Sequence, residues 1–214
     1  KAPIHIAELA SDTVVPYPDT AAQEEKFTSP LSLRIDRQNR LWVLDYGAHG
    51  FRDVKLYAYD LSSNQLVHEF VFPRKIAGLG SMLNDFQVDS DGKKIYIADT
   101  SVLAQNQAII VYDVEKKQAR RVLKRHPSVK NGPYAVHING KPLKILGIFK
   151  PKFGVDSIAL SRDGRWLYYA SLNGGILYRI EVSALNDETL SEKALGERVE
   201  KLADITMSDG ITTD

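Results

Sequence analysis

The stretch Asn84-Asp-Phe-Gln-Val-Asp89, Ser90-Asp-Gly-Lys-Lys94, Ile95-Tyr-Ile-Ala-Asp99 alternates apolar and polar residues, turns on Asp91-Gly92, and resumes as a run rich in aromatic and β-branched residues. The same outline occurs twice more. Leu31-Ser-Leu-Arg-Ile-Asp36 leads through Arg37-Gln-Asn-Arg40 to Leu41-Trp-Val-Leu-Asp45, and Asp156-Ser-Ile-Ala-Leu-Ser161 leads through Arg162-Asp-Gly-Arg165 to Trp166-Leu-Tyr-Tyr-Ala-Ser171. Period-two alternation on both sides of a polar turn carrying Asn or Asp-Gly is the pattern of a β-hairpin. A third strand follows each hairpin, at Leu56–Asp60, Ile110–Asp113 and Leu177–Glu181, and a more polar fourth follows the first two, at Gln65–Phe72 and Gln118–Leu123.

The spacing turns three hairpins into a repeat. Asp36 and Asp89 lie 53 residues apart, and so do Asp60 and Asp113. The third unit is displaced by 72, from Asn84 to Asp156, because Arg125–Lys150 is inserted before it. Asp209-Gly-Ile-Thr-Thr-Asp214 then repeats the start of the hairpin 53 residues after Asp156. Four-stranded units at a spacing of about 50 residues are the blades of a β-propeller. A β-sandwich also offers many short strands, but nothing in it makes one hairpin recur at one lag with an Asp closing its second strand.

The fold class read here is therefore all-β, a β-propeller of which the chain holds about three blades plus partial blades at both ends. The expected plan is one partial propeller domain over 1–214. Outer strands of an incomplete blade fall in 1–28 (Ile4–Leu9 and Thr13–Val15), and blades in 29–75, 82–124 and 151–204. The insertion occupies 125–150, and the next blade starts in 205–214. A ring needs about 4–8 blades, and an open arc exposes unpaired strand edges. The reading thus expects a fragment whose remainder is absent, cleaved or supplied by another chain. Ser183–Leu195 reads equally as a helix or a loop.

Composition narrows the function. Lys and Arg number 28 against 27 Asp and Glu, a net charge of +1, so no basic excess exists to drive nucleic-acid binding. The basic stretch Lys116–Arg125 reads as a strand and turn with solvated charges. No cysteine is present, which removes disulfides, thiolate zinc sites and cysteine nucleophiles. No run of 18 apolar residues occurs, so no membrane span is expected. The chain starts at Lys1 without an apolar leader, as it would after removal of a signal peptide or a longer N-terminal region.

At these repeats the chain resembles the major royal jelly/yellow protein family, particularly its bacterial members. The residues that carry the likeness are Ser29–Asp36 leading to Leu41-Trp-Val-Leu-Asp-Tyr-Gly47, and Leu83-Asn-Asp-Phe86 followed by Ile95–Asp99. Gly154–Ser161, Leu167–Leu172 and Leu177–Ile180 continue it, and Ser208-Asp-Gly-Ile211 looks like the opening of the family's next blade. The resemblance implies a six-bladed propeller, often secreted or periplasmic, similar in architecture to the gluconolactonase/regucalcin group, which hydrolyses lactones with a divalent metal in the central channel. The sequence departs from the family at Ser157, where a glycine is common. It also lacks the family's N-terminal inner strands, which in the lactonase group carry a metal-binding glutamate.

In a propeller the innermost strands line the central channel, so Leu31, Asn84, Asp156 and Asp209 are expected to converge on one of its mouths. Two carboxylates and an amide oxygen suit Ca²⁺ or Mg²⁺, and the Asn84/Asp156/Asp209 set is similar to the positions that hold the metal in the lactonase group. Such a metal could polarise a lactone carbonyl or activate a water, with Asp85 as general base. The same residue types at strand starts also satisfy backbone groups in turns. Asp45 and Asp99 are read in that second way, and Trp42, Tyr96, Tyr168 and Tyr169 as sheet packing.

The histidines His5, His49, His68, His126 and His137 form no close metal pair and are read as surface or loop residues, His126 and His137 lying in or beside the insertion within reach of a ligand. No GxSxG elbow, P-loop or dinucleotide fingerprint occurs, and Asn173-Gly-Gly175 reads as a tight turn. Three functions remain open: a small molecule bound in the channel, a divalent-metal-dependent lactonase-type hydrolase, and an interaction scaffold presenting the proline-bearing insertion.

Overall fold

The computed structural model describes residues 5–10, 12–144, 148 and 150–213. Ile4 and Asp214, both assigned above to strands, lie outside the described residues. The chain opens with a hairpin of β1 (Ala7–Ala10) and β2 (Thr13–Pro16), then a short helix at Thr20–Glu25 whose Ala22 N donates to the capping Asp19 carboxylate at 2.8 Å.

Three four-stranded antiparallel sheets follow, each laid down in chain order from its innermost to its outermost strand. The first blade is β3 (Pro30–Ile35), β4 (Arg40–Asp45), β5 (Lys55–Asp60) and β6 (Gln65–Val71). The second is β7 (Leu83–Val88), β8 (Lys94–Asp99), β9 (Ala108–Asp113) and β10 (Gln118–Val122). A two-stranded hairpin, β11 (His137–Ile138) with β12 (Lys141–Pro142), stands within the insertion. The third blade is β13 (Val155–Leu160), β14 (Trp166–Ser171), β15 (Ile176–Glu181) and β16 (Glu200–Asp204). This is propeller architecture, and the repeated hairpins of the sequence are β3–β4, β7–β8 and β13–β14. Short helices at Val182–Asn186 and Glu192–Gly196 occupy the region that read as helix or loop and carry the chain to β16, a strand the sequence did not announce.

Alternation along the strands builds two inter-blade cores. Trp42, Leu44, Leu56 and Ala58 of the first blade pack on Phe86, Ile95, Ile97, Ile110 and Tyr112 of the second. The opposite face of the second blade, Tyr96, Ala98, Ile109 and Val111, packs on Ile158, Leu167, Tyr169 and Ile180 of the third. The outer part of the first blade's other face, Val43, Tyr57 and Tyr59, is covered by Ile6, Tyr17, Ala22 and Phe27. The inner part of that face is open, with Leu33 and Ile35 of β3 40% and 65% exposed.

Asp45 and Asp99 close the second strands as backbone acceptors. Asp45 takes the N–H groups of Thr28 (2.6 Å), Ser29 (3.0 Å) and Gly47 (3.0 Å), and Asp99 those of Met82 (2.9 Å) and Ser101 (3.0 Å). Two sequence readings need correction here. Arg121, read as a solvated charge, is buried: its Nη1 sits 2.7 Å from Asp99 Oδ2 and bonds Ile76 O at 2.5 Å. Burial pushes the Asp99 carboxyl up and the Arg121 guanidinium opposes it, so the arginine is required where the carboxylate cannot reach water. His68, read as a surface or loop residue, is buried on β6, where Nε2 lies 2.7 Å from Tyr112 Oη and burial lowers its pKa to about 4. A hydrogen-bonding neighbour and a neutral ring make it a core residue. Among the described residues no helix is long and apolar enough to cross a membrane.

Between β4 and β5 the backbone makes a left-handed turn, with φ of 59°, 48°, 60° and 70° at Gly47, Ala48, His49 and Gly50. That region costs a non-glycine residue about 1–2 kcal/mol. Fixed partners hold it: Ala48 N donates to Ser29 Oγ at 2.7 Å, Arg52 N to Gly47 O at 2.9 Å and Gly80 N to His49 O at 2.8 Å.

Two outcomes are expected. Arg121→Ala, which strands a buried carboxylate, lowers stability by about 3 kcal/mol, read as a lower urea midpoint at unchanged slope. Ala48→Gly keeps the turn and removes its Cβ strain, raising stability by about 1 kcal/mol in the same titration.

Candidate functional site

The innermost strands share an irregularity that sets the site. In β3 the pairing with β4 steps from Pro30 to Ser32, in β13 the pairing with β14 steps from Val155 to Ser157, and in β7 it steps from Leu83 to Phe86. Each inner strand therefore holds one more residue than its partner, a β-bulge, which re-aims side chains and often lies beside functional sites. The bulged residues are Leu31 in the first blade, Asn84 with Asp85 in the second, and Asp156 in the third. Of the four residues expected to converge, Leu31, Asn84 and Asp156 sit at these bulges, and Asp209 lies on the segment after β16.

Asn84, Asp156 and Asp209 line one cavity of about 410 Å³. Asp156 is buried, and its Oδ1 accepts hydrogen bonds from the Asn84 side-chain amide and from Thr100 Oγ1 at 3.0 Å. Among the described residues Oδ2 of Asp156 accepts none. Asp209 is exposed on the segment after β16, which lies along β13: Ser157 Oγ donates to Ser208 O at 3.1 Å and Thr213 Oγ1 to Leu160 O at 2.6 Å. Leu31 contributes no polar atom. Asp85 lies beside the cavity rather than in its lining, held to Arg34 Nη2 at 2.5 Å and accepting Phe86 N at 2.9 Å.

Burial raises the pKa of Asp156 to about 6; the bonds from Asn84 and Thr100 act against this, while the charges of Asp209 and Asp85 add to it. Asp85 is also pushed up by burial, with Arg34 opposing. Among the described residues no three His, Asp or Glu side chains are placed to hold a metal ion together, so a cation here would draw on the Asn84 amide as well as Asp156 and Asp209.

The rest of the lining escaped the sequence reading. Met82, Phe153, Leu172 and Met207 supply apolar walls, and Val136 and Leu143 reach the cavity from the insertion. Met82 and Leu172 were legible in principle, because the residue before an inner strand and the residue after a second strand share one end of the blade. Thr100 follows Asp99 at that end for the same reason. Val136 and Leu143 carried no such signal, since no repeat fixes the path of an insertion. His126 bonds Ser128 Oγ at 2.8 Å within its own turn, and His137 Nδ1 lies 2.8 Å from Ala135 O.

Native Asp156 holds a proton between pH 3.8 and about 6 that the unfolded chain has released. The carboxyl thus stabilises the fold below that window, and the contribution is lost as pH rises through about 6. Asp156→Asn, which stays neutral, is expected to gain on the wild type by about 2–3 kcal/mol between about pH 4 and 7. Paired urea titrations at the two pH values measure this, and a pH-independent difference would mean that the carboxyl is well solvated.

The major royal jelly protein family model matches residues 28–212. Major royal jelly protein 3 of Apis mellifera is 25% identical over 193 residues, covering 83% of this chain and 34% of that protein. Protein yellow of Drosophila erecta is 24% identical over 199 residues, covering 85% and 36% respectively. The chain thus spans about a third of the length of these relatives. Among solved structures, Kuenenia stuttgartiensis hydrazine synthase superposes with a TM-score of 0.56 at 11% identity, over 93% of this chain and 54% of that one. A chain of the nidogen/laminin complex gives 0.52 at 10% identity, over 88% and 53%. The structural likenesses speak to fold alone, whereas the family match covers most of the sequence: the chain belongs to the major royal jelly protein family.

Proposed function

We propose that this yellow/royal-jelly-like propeller binds a small molecule at the Asn84–Asp156–Asp209 end of its central channel. One observation carries the reading: a cavity of about 410 Å³ combines the buried Asp156 carboxyl, whose Oδ2 accepts no hydrogen bond among the described residues, with walls of Met82, Phe153, Leu172 and Met207. That size and mixture are those of ligand pockets, which are mostly apolar with a few placed polar groups. The ligand presents a hydrogen-bond donor to Asp156 and an apolar body to the walls. Closure of the ring at six blades belongs to the proposal, with further blades from the same protein or another chain covering Leu33 and Ile35. So does a secreted or periplasmic place of action, which rests on the family resemblance.

A second reading, a divalent-metal-dependent lactonase-type hydrolase, is favoured by the hard oxygen donors of Asn84, Asp156 and Asp209. Ca²⁺ or a similar cation would be held by these three and would supply Lewis-acid activation. Asp85 becomes available as a base only when its pair with Arg34 opens.

The deciding experiment is a thermal melt in excess EDTA, in millimolar Ca²⁺, and in the presence of small neutral alcohols. A ligand bound only by the native state raises the midpoint by mass action. The first reading expects a rise with the alcohols that Asp156→Ala abolishes. The second expects a rise with Ca²⁺, abolished by the same substitution, and directs the work to lactone hydrolysis. If neither addition moves the midpoint, both readings fall.

A further inference from the structure

We infer that the arm Asn131–Leu143 of the insertion is the selecting wall of the channel pocket, with Val136 and Leu143 deciding what size of ligand fits above Asp156. The inference rests on the small-molecule reading and adds to it the element that sets specificity.

The arm is built to place those two side chains and little else. Leu143 N donates to Val136 O at 2.8 Å, closing the base of the β11–β12 hairpin. The tip turns through Asn139 and Gly140, with φ of 51° and 75°, the left-handed pair that a tight two-residue hairpin requires. Both strands of the hairpin are exposed, whereas Val136 and Leu143 at its base are half-buried and line the pocket with Asn84 and Asp156. A hairpin that buries only its base contributes little to the core, so the base residues are free to answer to the ligand.

The arm is also pinned. Asn173 Nδ2 donates to Tyr134 O at 2.9 Å and Tyr134 N to Asn173 O at 3.4 Å, tying the arm to the turn after β14. Glycine makes the approach possible. A Cβ on Gly132 would lie 2.3 Å from Asn173 O and 2.5 Å from Gly174 Cα, and one on Gly175 would lie 2.6 Å from the Tyr134 ring. The Asn173-Gly-Gly175 turn is thus the seat on which the arm rests. Fixed at the seat and closed at the hairpin base, the arm holds its two apolar side chains at a set distance from the carboxylate, which is the condition for discrimination by size.

The test uses two neutral probes that share a donor head and differ in bulk, benzyl alcohol and 2-naphthylmethanol, titrated by ligand-observed NMR. Leu143→Ala opens the wall and is expected to improve the naphthyl probe about 5- to 10-fold relative to benzyl alcohol, the scale of a few methylenes in an apolar pocket. Val136→Phe shifts the ratio the other way. Gly132→Val unseats the arm and weakens both probes while the melting midpoint stays near that of the wild type, because the arm lies outside the inter-blade cores. Binding that Asp156→Ala abolishes but that all three arm variants leave unchanged would overturn the inference and spare the small-molecule reading. Failure of the wild type to bind either probe would remove that reading and the inference with it.

Discussion

Each innermost strand carries one residue more than the strand it pairs with, and the sheet has to absorb it. In an antiparallel pair the extra residue cannot join the ladder, so it bends the strand and turns its side chain out of register. Asn84, Asp85 and Asp156 owe their positions to this constraint. Their types alone fix neither direction nor depth; Asp156 is turned toward Asn84 and Thr100 of the second blade. The cost of seating a carboxylate there is met locally, by Asn84 and Thr100 on one oxygen.

Side chains of the inner strands also reach across to the next segment of the arc. Ser32 Oγ donates to Asn84 O at 2.5 Å, Gln87 Nε2 to Ile158 O at 2.9 Å, and Ser157 Oγ to Ser208 O at 3.1 Å. Ser157 thus makes a serine-to-backbone contact like the one that Ser32 makes two interfaces earlier. These bonds set the spacing of the blades at the channel, while the aromatic and branched residues set it further out.

Much of the fold was legible because propeller blades repeat. Period-two alternation located eleven of the twelve blade strands; it missed β16 because Glu200–Asp204 is exposed along its whole length and shows no apolar alternation. That Asn84, Asp156 and Asp209 occupy equivalent positions was legible by superposing the repeats, and they line one cavity; the bulges at the first two were not, since pairing register depends on the partner strand as well. The pairing of Asp85 with Arg34 was hidden by their separation in sequence, as was the burial of Arg121 against Asp99. The insertion's share of the pocket had no periodic counterpart to be read from.

The alternation of the second blade has a dynamic consequence. Ile95, Ile97, Ile110 and Tyr112 belong to the core shared with the first blade, while Tyr96, Ala98, Ile109 and Val111 belong to the core shared with the third. In a repeat architecture where each unit touches only its neighbours, stability is approximately a sum over units and interfaces. The strands β8 and β9 are therefore held from both faces, while β16 carries its side chains exposed along its whole length. The Asn84–Asp156 floor, which bridges the second and third blades, therefore loosens with the interface between those two blades rather than with the outer strands.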